Sequence, residues 1–475
     1  MTALMVQGCT SAAGKSFIVA ALARIYARRG MSVAPFKGQN MSNNARVVDG
    51  GEIGVAQWLQ AHAARVKPET RMNPLLIKPE AGGSQVIRNG VVDVAASRSE
   101  WRGRSSRLWP DVQRALHSLL NDFDLVLIEG AGSPAEPNLW ANDIANMRVA
   151  DEADAPVLLA ADIDRGGAFA HIYGTWAILP AGHQERLAGF ILNKFHGDPE
   201  LLEPAPADLA KRTGIAHMGT LPWMAHGLPD EDNASLVGGP ASPGRDRVVI
   251  IRWPTISNLD EFALLGQVAN IDWAERPNQL DGADMIILPG SKHVASDLEW
   301  LRANGFEAPL RRIARAGTPM IGICGGMQIL GGQIVDPHGV DGSGLGLGLL
   351  PLTTVFGADK LVANTRLRFS EVPGPWLALS GIEFDGYDIR HGRVETDPTA
   401  AAVDNTTQIL PNNAGFVADN VIGIATHGLL EDSRALAALF GVTPEESLDA
   451  AIDRVADIAE GHLDIAGIDQ LAGLA

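Results

Sequence analysis

Short runs of consecutive apolar residues alternate with longer stretches of helical spacing along most of the chain, and that alternation predicts an α/β protein. In the first half the runs place strands near residues 3–7, 32–36, 125–128, 157–161 and 189–192. Leu125-Val126-Leu127-Ile128 contains no polar residue, as expected of a strand covered on both faces of a parallel sheet. A second series begins at Val248-Val249-Ile250-Ile251 and continues near residues 285–288 and 319–323. From Leu347 to Thr426 the pattern turns more β-like. Ser433 to Ala475 is alanine-rich with helical spacing and carries no catalytic-looking cluster, so it reads as a structural tail. Between the two series, Leu236 to Arg247 is rich in Gly, Pro and Ser and reads as a linker. The expected organisation is a domain over 1–235, a linker over 236–247, a second domain over 248–440 and a helical tail over 441–475.

A length of 475 residues accommodates two or three domains. The formal charge of -18 argues against a nucleic-acid partner, which would need a basic surface, but leaves room for small anions held by backbone amides and a few lysines. No run of about 18 apolar residues is present, so no membrane span is expected. Residues 1–7 lack the basic and apolar regions of a signal peptide, and a cytoplasmic location is the default expectation. The two cysteines, Cys9 and Cys324, lie far apart in glycine-rich segments, which disfavours a disulfide or a cysteine metal site.

Gly8-Cys9-Thr10-Ser11-Ala12-Ala13-Gly14-Lys15-Ser16 follows an apolar strand and opens a helix expected over residues 17–28. Strand, glycine loop and helix together make a phosphate cradle. Glycines let the loop curl until its amides point at phosphate oxygens, and the helix N-terminus adds positive potential. Gly8, Thr10 and Gly14 shape the loop, Lys15 reaches the terminal phosphates, and Ser16 offers a hydroxyl to Mg²⁺. Five residues separate Gly8 from Gly14 where the common GTPase pattern has four. This longer form resembles that of dethiobiotin synthetase and its relatives, which implies ATP as the nucleotide. Cys9 reads as a small packing residue of the loop. Glu129 ends the apolar 125–128 strand, where open α/β sheets bind ligands, and could hold Mg²⁺ directly or through water. Asp162 and Asp164 end another strand; serving the metal site and capping the next helix are equally open to them.

Gly322-Ile323-Cys324-Gly325-Gly326 has the form of a nucleophile elbow after a strand and before a helix. A helix N-terminus favours thiolate at Cys324, and the Gly325 amide is placed to hold an oxyanion. A second oxyanion donor is expected at Gly290, in Leu288-Pro289-Gly290-Ser291-Lys292. The base candidate is His427, just past the apolar run 421–424, with His391 as competitor.

These blocks, in this order, resemble the cobyric acid synthase family of cobalamin biosynthesis over nearly the whole chain to about Asp432. The distinctive segment is Phe36-Lys37-Gly38-Gln39-Asn40-Met41-Ser42-Asn43-Asn44. Gly51-Glu52-Ile53-Gly54-Val55-Ala56-Gln57, Met72-Asn73-Pro74, the 129–136 and 161–167 segments, Asn193-Lys194-Phe195, Leu288-Pro289-Gly290-Ser291-Lys292, Cys324-Gly325-Gly326-Met327-Gln328 and His427-Gly428 also fit. The resemblance implies a parallel-sheet ATP domain followed by a class I glutamine amidotransferase domain. It implies ATP with Mg²⁺, glutamine as nitrogen donor, and amidation of the b, d, e and g carboxylates of adenosylcobyrinic acid a,c-diamide. Lys37, Gln39, Asn40 and Asn43 follow the second strand on the ligand-binding edge, where amides and a lysine suit the several carboxylates and amides of a large ring; with Asp162 and Asp164 they are the substrate candidates, and Ser16, Glu129 and Glu52 are the metal candidates. Small molecules are the expected partners, and homo-oligomerisation is compatible with the sequence.

Many relatives of the amidotransferase domain carry a glutamate two residues after the histidine. Here that position is Leu429, so the expectation is a Cys324–His427 dyad whose histidine has no assigned orienting group; Glu431 and Asp432 are merely close in sequence. Two other readings remain. An a,c-diamide synthase would run the same chemistry on fewer carboxylates. A partition-type ATPase with a degenerate second domain is disfavoured by the absence of a lysine at Thr10–Ala13 and by the intact cysteine and histidine.

Overall fold

The uncharged run at 125–128 forms the strand Leu125–Glu129, buried along its whole length. In the computed structural model, which describes residues 2–80, 83–100, 103–229, 242–396 and 406–474, it belongs to a six-stranded sheet. The order is Ala216–Pro222, Leu187–Phe195, Val157–Asp162, Thr2–Gly8, Leu125–Glu129 and Val33–Phe36, all parallel. The first strand of the chain is thus central. Its neighbours end in acids, Glu129 on one side and Asp162 on the other, and flank the glycine loop that leaves Gly8. All five strands expected in this half form, each within a few residues of its expected bounds. A smaller four-stranded sheet of Gln39–Met41, Leu75–Glu80, Gly83–Arg88 and Val91–Val92, and a hairpin of Ala45–Val48 with Gly51–Gly54, were not expected. Their strands are short and lack a clear period of two, which hides them from pattern reading.

The helix Lys15–Arg28 begins two residues before its expected start and is buried from Ile18 through Tyr26. An ordinary surface helix would bury one stripe. This one is covered three times, by the sheet, by the helix Val55–Ala63 and by the C-terminal helix Leu448–His462, which precedes a last short one at Ile465–Leu471. Residues 446–475 belong to the same compact unit as residues 1–232. The C-terminal helix offers Ala451, Ile452, Val455, Ala456 and Ala459 as a buried stripe. Arg24, fully buried, donates to Asp453 (2.7 Å), Asp449 (2.5 Å) and the carbonyls of Ala63 (2.8 Å) and His62 (3.2 Å). Asp449 is largely exposed, so its share is screened, but the two carbonyls would be left without this donor. Arg24→Met is expected to cost about 2 kcal/mol, read as a lower midpoint of the first unfolding transition in urea. An unchanged midpoint would mean that the helix docks through its apolar stripe alone.

The second unit spans residues 233–445. Of the expected linker, residues 236–241 lie outside the described residues, and the next strand starts at Arg247. A seven-stranded sheet runs Asn270–Ala274, Arg247–Ile251, Met285–Leu288, Met320–Ile323, Val421–Ile424, Gly415–Ala418 and Thr406–Leu410. The first five are parallel, the last two antiparallel. The β-like stretch resolves into a long antiparallel pair, Leu352–Arg368 with Glu383–Thr396. Among the described residues no helix is long and apolar enough to cross a membrane.

Candidate active sites

The glycine loop is held by unusual backbone geometry. Gly14 and Ala12 have φ of 92° and 57°, a left-handed region that costs a non-glycine residue energy. Neighbouring side chains fix this shape. Asn193 Nδ2 donates to Ala13 O at 3.0 Å, and Lys194 Nζ to Ala12 O at 2.8 Å and to Asp162 at 3.0 Å. A Cβ on Gly14 would lie 2.0 Å from Asn193 Nδ2, so only glycine fits there. Lys15 curls back over the loop, its Nζ 3.1 Å from where a Cβ on Gly8 would sit. Cys9 is buried and its thiol is pushed up to about 11 by that burial, which suits packing rather than reactivity.

Behind the loop, one carboxylate gathers four partners. Glu129, only 1% exposed, accepts from Ser16 Oγ at 2.8 Å, Lys37 Nζ at 2.9 Å, Gln60 Nε2 at 2.5 Å and Gln57 Nε2 at 3.4 Å. Burial alone would raise its pKa, but the charges of Lys37 and Lys15 outweigh burial and hold it below the usual range. It is therefore an anion at neutral pH. Asn40, buried, donates to Gln57 at 3.0 Å and so supports the same cluster. Lys37 and Asn40 thus stand around Glu129 inside the unit. Gln39 is half-buried, and so is Asn43, whose Oδ1 has no hydrogen-bond partner. Glu52 is in a buried ion pair with Lys78. Asp162 accepts from the amide of Asp164, forming a local turn, while Asp164 pairs with His196 at 3.3 Å. The next helix takes Gly167 as its N-cap, so neither aspartate caps it. Thr10 is half-buried in the loop.

Among the described residues no three His, Cys, Asp or Glu side chains cluster as a metal cage. The Ser16 hydroxyl beside the Glu129 carboxylate offers hard oxygen ligands of the kind Mg²⁺ takes when phosphates and water complete its shell.

In the second unit, three neighbouring parallel strands end together. Leu288 is in register with Gly322, and Ile323 with Ile424, so their exits bring Gly290, Cys324 and His427 to one edge. Cys324 has φ 50° and ψ -105°, the strained geometry of a nucleophile elbow. The turn leaves no room for side chains. A Cβ on Gly326 would lie 1.9 Å from Leu288 O, one on Gly322 2.4 Å from Leu330 Cδ1, and one on Gly325 2.7 Å from Ser291 N. A Cβ on Gly290 would meet His427 Cε1 at 2.8 Å. Trp253 Nε1 holds the Gly290 carbonyl at 3.2 Å, and buried Asp297 accepts from Ser291 Oγ and Thr255 Oγ1, each at 2.6 Å. The loop bearing the expected oxyanion donor is thereby fixed.

His427 interacts electrostatically with Cys324, and its Nδ1 lies 2.9 Å from Glu261 Oε2. Burial would lower its pKa; the Cys324 sulfur and the Glu261 carboxylate oppose this and push it up to about 10. The surroundings thus favour the protonated ring beside the Cys324 sulfur. His391, the competing base, donates from Nδ1 to Gly357 O (3.1 Å), and burial together with the cations of Lys360, Lys292 and Arg393 keeps its pKa low. The expected dyad therefore acquires a third group, Glu261, from the turn Leu259–Phe262. The sequence carries no spacing signal for it, because it lies 166 residues from His427. Gln57, which ends the family-like segment from Gly51, has no role legible in the sequence, and neither has Gln60; their helical spacing does put both on one face of the helix Val55–Ala63.

Comparison with known proteins matches residues 4–230 to a CobQ/CobB/MinD/ParA nucleotide binding domain and residues 247–435 to a CobB/CobQ-like glutamine amidotransferase domain. The chain is 51% identical over 474 residues to a cobyric acid synthase of Variovorax paradoxus (strain S110), covering 98% of each. It is 49% identical to that of Polaromonas sp. (strain JS666 / ATCC BAA-500), covering 97% of this chain and 96% of the relative. It is 51% identical to that of Paracidovorax citrulli (strain AAC00-1), covering 95% of each.

Proposed function

The chain belongs to the cobyric acid synthase family, and from that premise we propose that it converts adenosylcobyrinic acid a,c-diamide to adenosylcobyric acid. It is an amidating ligase that takes nitrogen from glutamine and uses ATP, acting on the b, d, e and g carboxylates. The observation that carries this reading is the strained Cys324 brought to one sheet edge with His427 in one unit, in a chain whose other unit holds a phosphate loop backed by Glu129.

Cys324 Sγ attacks the side-chain carbonyl carbon of glutamine. Amides of Gly290 and Gly325 hold the resulting oxyanion, and His427 gives its proton to the departing ammonia. Water then cleaves the thioester, releasing glutamate and restoring the thiol. In the other unit a substrate carboxylate oxygen attacks the terminal phosphorus of ATP and ADP leaves. Carboxylates are poor electrophiles; the acyl phosphate is a good one, and ammonia displaces its phosphate to leave the amide. Lys15 lies against the loop where it can offset charge on the transferring phosphoryl group. Ser16 and, through water, Glu129 would hold Mg²⁺, which when bound neutralises phosphate charge.

Incubation with the a,c-diamide, ATP, Mg²⁺ and glutamine should yield a product with four new amides by mass spectrometry. Starting from unamidated cobyrinic acid, a product bearing only the a and c amides would instead assign the chain to the a,c-diamide reaction.

A further inference from the structure

We infer that Glu261 is the positioning residue of the glutamine site, orienting His427 in place of the acid that related domains carry two residues after the histidine. The inference rests on the amidotransferase reading above. Both carboxylate oxygens are engaged: Oε2 meets His427 Nδ1 at 2.9 Å, and Oε1 accepts from the Gly428 amide at 2.9 Å. One side chain thus holds the ring and the backbone that carries it. With Nδ1 directed at Glu261, Nε2 is the nitrogen left for Cys324. Glu261 and His427 are 1% and 2% exposed, and a carboxylate so buried persists only when its hydrogen bonds are met.

The same turn also holds the ring by its face. Tyr387 stacks on His427 with centroids 5.3 Å apart and planes 19° from parallel, and its backbone pairs with that of His427. Asn258, whose φ of 55° starts the turn bearing Glu261, donates to Tyr387 Oη at 2.9 Å. Leu429, at the position where related domains place their acid, is fully buried in the apolar core, and its turn packs against the Glu261 turn. The acid has therefore moved from the strand-end segment to the turn it packs on. The charged or titratable groups facing the ring are Cys324, Glu261 and Tyr387.

Glu261→Gln tests this. It keeps the side chain's size but replaces the carboxylate by an amide, which cannot stabilise the imidazolium. The kcat for glutamine hydrolysis should fall on the order of 10³-fold, with KM for glutamine changed less than about 3-fold. Amidation with ammonium chloride should persist. Alkylation of Cys324 by iodoacetamide should slow near pH 7, and its rise should shift to higher pH, a change that mere loosening of the turn would not produce. Wild-type kcat and an unshifted alkylation profile would overturn the assignment. If the unsubstituted enzyme amidates from neither nitrogen source, the amidation reading fails instead. Should Glu261→Gln not fold, Glu261→Asp decides. Its shorter carboxylate cannot serve both contacts, so a glutamine-specific kcat loss with a shifted profile is required, and wild-type behaviour would overturn the proposal.

Discussion

Cys324→Ser is expected to abolish amidation from glutamine, by on the order of 10⁴-fold or more in kcat, while amidation from ammonium chloride persists. A serine hydroxyl fits the space of the thiol, so the elbow, at φ 50° and walled by Gly322, Gly325 and Gly326, should be retained. What is lost is the nucleophile. His427 is the group that takes the nucleophile's proton, and its protonated form is stabilised, its pKa pushed up to about 10. A hydroxyl is far less acidic, and the same histidine holds its own proton too tightly to act as base toward it. The sign of the pH dependence follows. The raised pKa means that the charged ring stabilises the fold below about pH 6.5, and this contribution is lost as pH rises through about 10. Glutamine hydrolysis should therefore fail on the alkaline side before the ammonia-dependent reaction does. Ammonia-dependent activity that disappears in a folded Cys324→Ser protein would sink the division of labour between the two units.

The parts of this machinery that were readable beforehand share one property: their signal lies within a few consecutive residues. The glycine loop, the elbow and the apolar strands are local patterns, and each appears where its residues predicted it. The strand ends that deliver Gly290, Cys324 and His427 could also be anticipated, since a polar residue after an apolar run marks the edge of an open sheet. Glu261 could not. It sits in a turn with no periodicity, and its value arises only when the sheet brings residue 427 to it. The cluster on Glu129 behaves alike. Ser16, Lys37, Gln57 and Gln60 come from separate elements, and their convergence depends on the strand order that puts Leu125–Glu129 beside Thr2–Gly8. Lys37 and Asn40 looked like substrate contacts because amides and a lysine follow a strand; the ion pair to Glu129 and the bond to Gln57 are tertiary facts. The C-terminal helices show the same limit. Their apolar stripe announces that a face is covered, but only the acids at Asp449, Asp453 and Asp457 opposite Arg24 and Arg28 reveal what covers it.

Lys15→Ala should give the complementary loss. Amidation from both glutamine and ammonium chloride is expected to fall by on the order of 10³-fold, because the carboxylate is no longer activated whatever the nitrogen source. The Lys15 ammonium lies over the glycine loop, beside Gly8 and within the field of Glu129. Phosphoryl transfer builds negative charge on oxygens that the loop amides and this cation must hold, and an alanine supplies none of it. The substitution also removes one of the two cations that keep Glu129 ionised. Its pKa should move upward toward the ordinary carboxylate range. A carboxylate held low in the folded state stabilises the fold above its unfolded pKa and gives that up as pH falls. The variant should therefore lose less stability on acidification than the parent, starting from a lower value at neutral pH. Glutamine hydrolysis, assayed as glutamate release, is expected to persist, since the proposed mechanism runs it on Cys324, His427 and Glu261 and on none of these groups. Retained hydrolysis with lost amidation separates the activating site from the ammonia-producing one, and retained amidation would show that Lys15 does not act on the phosphates.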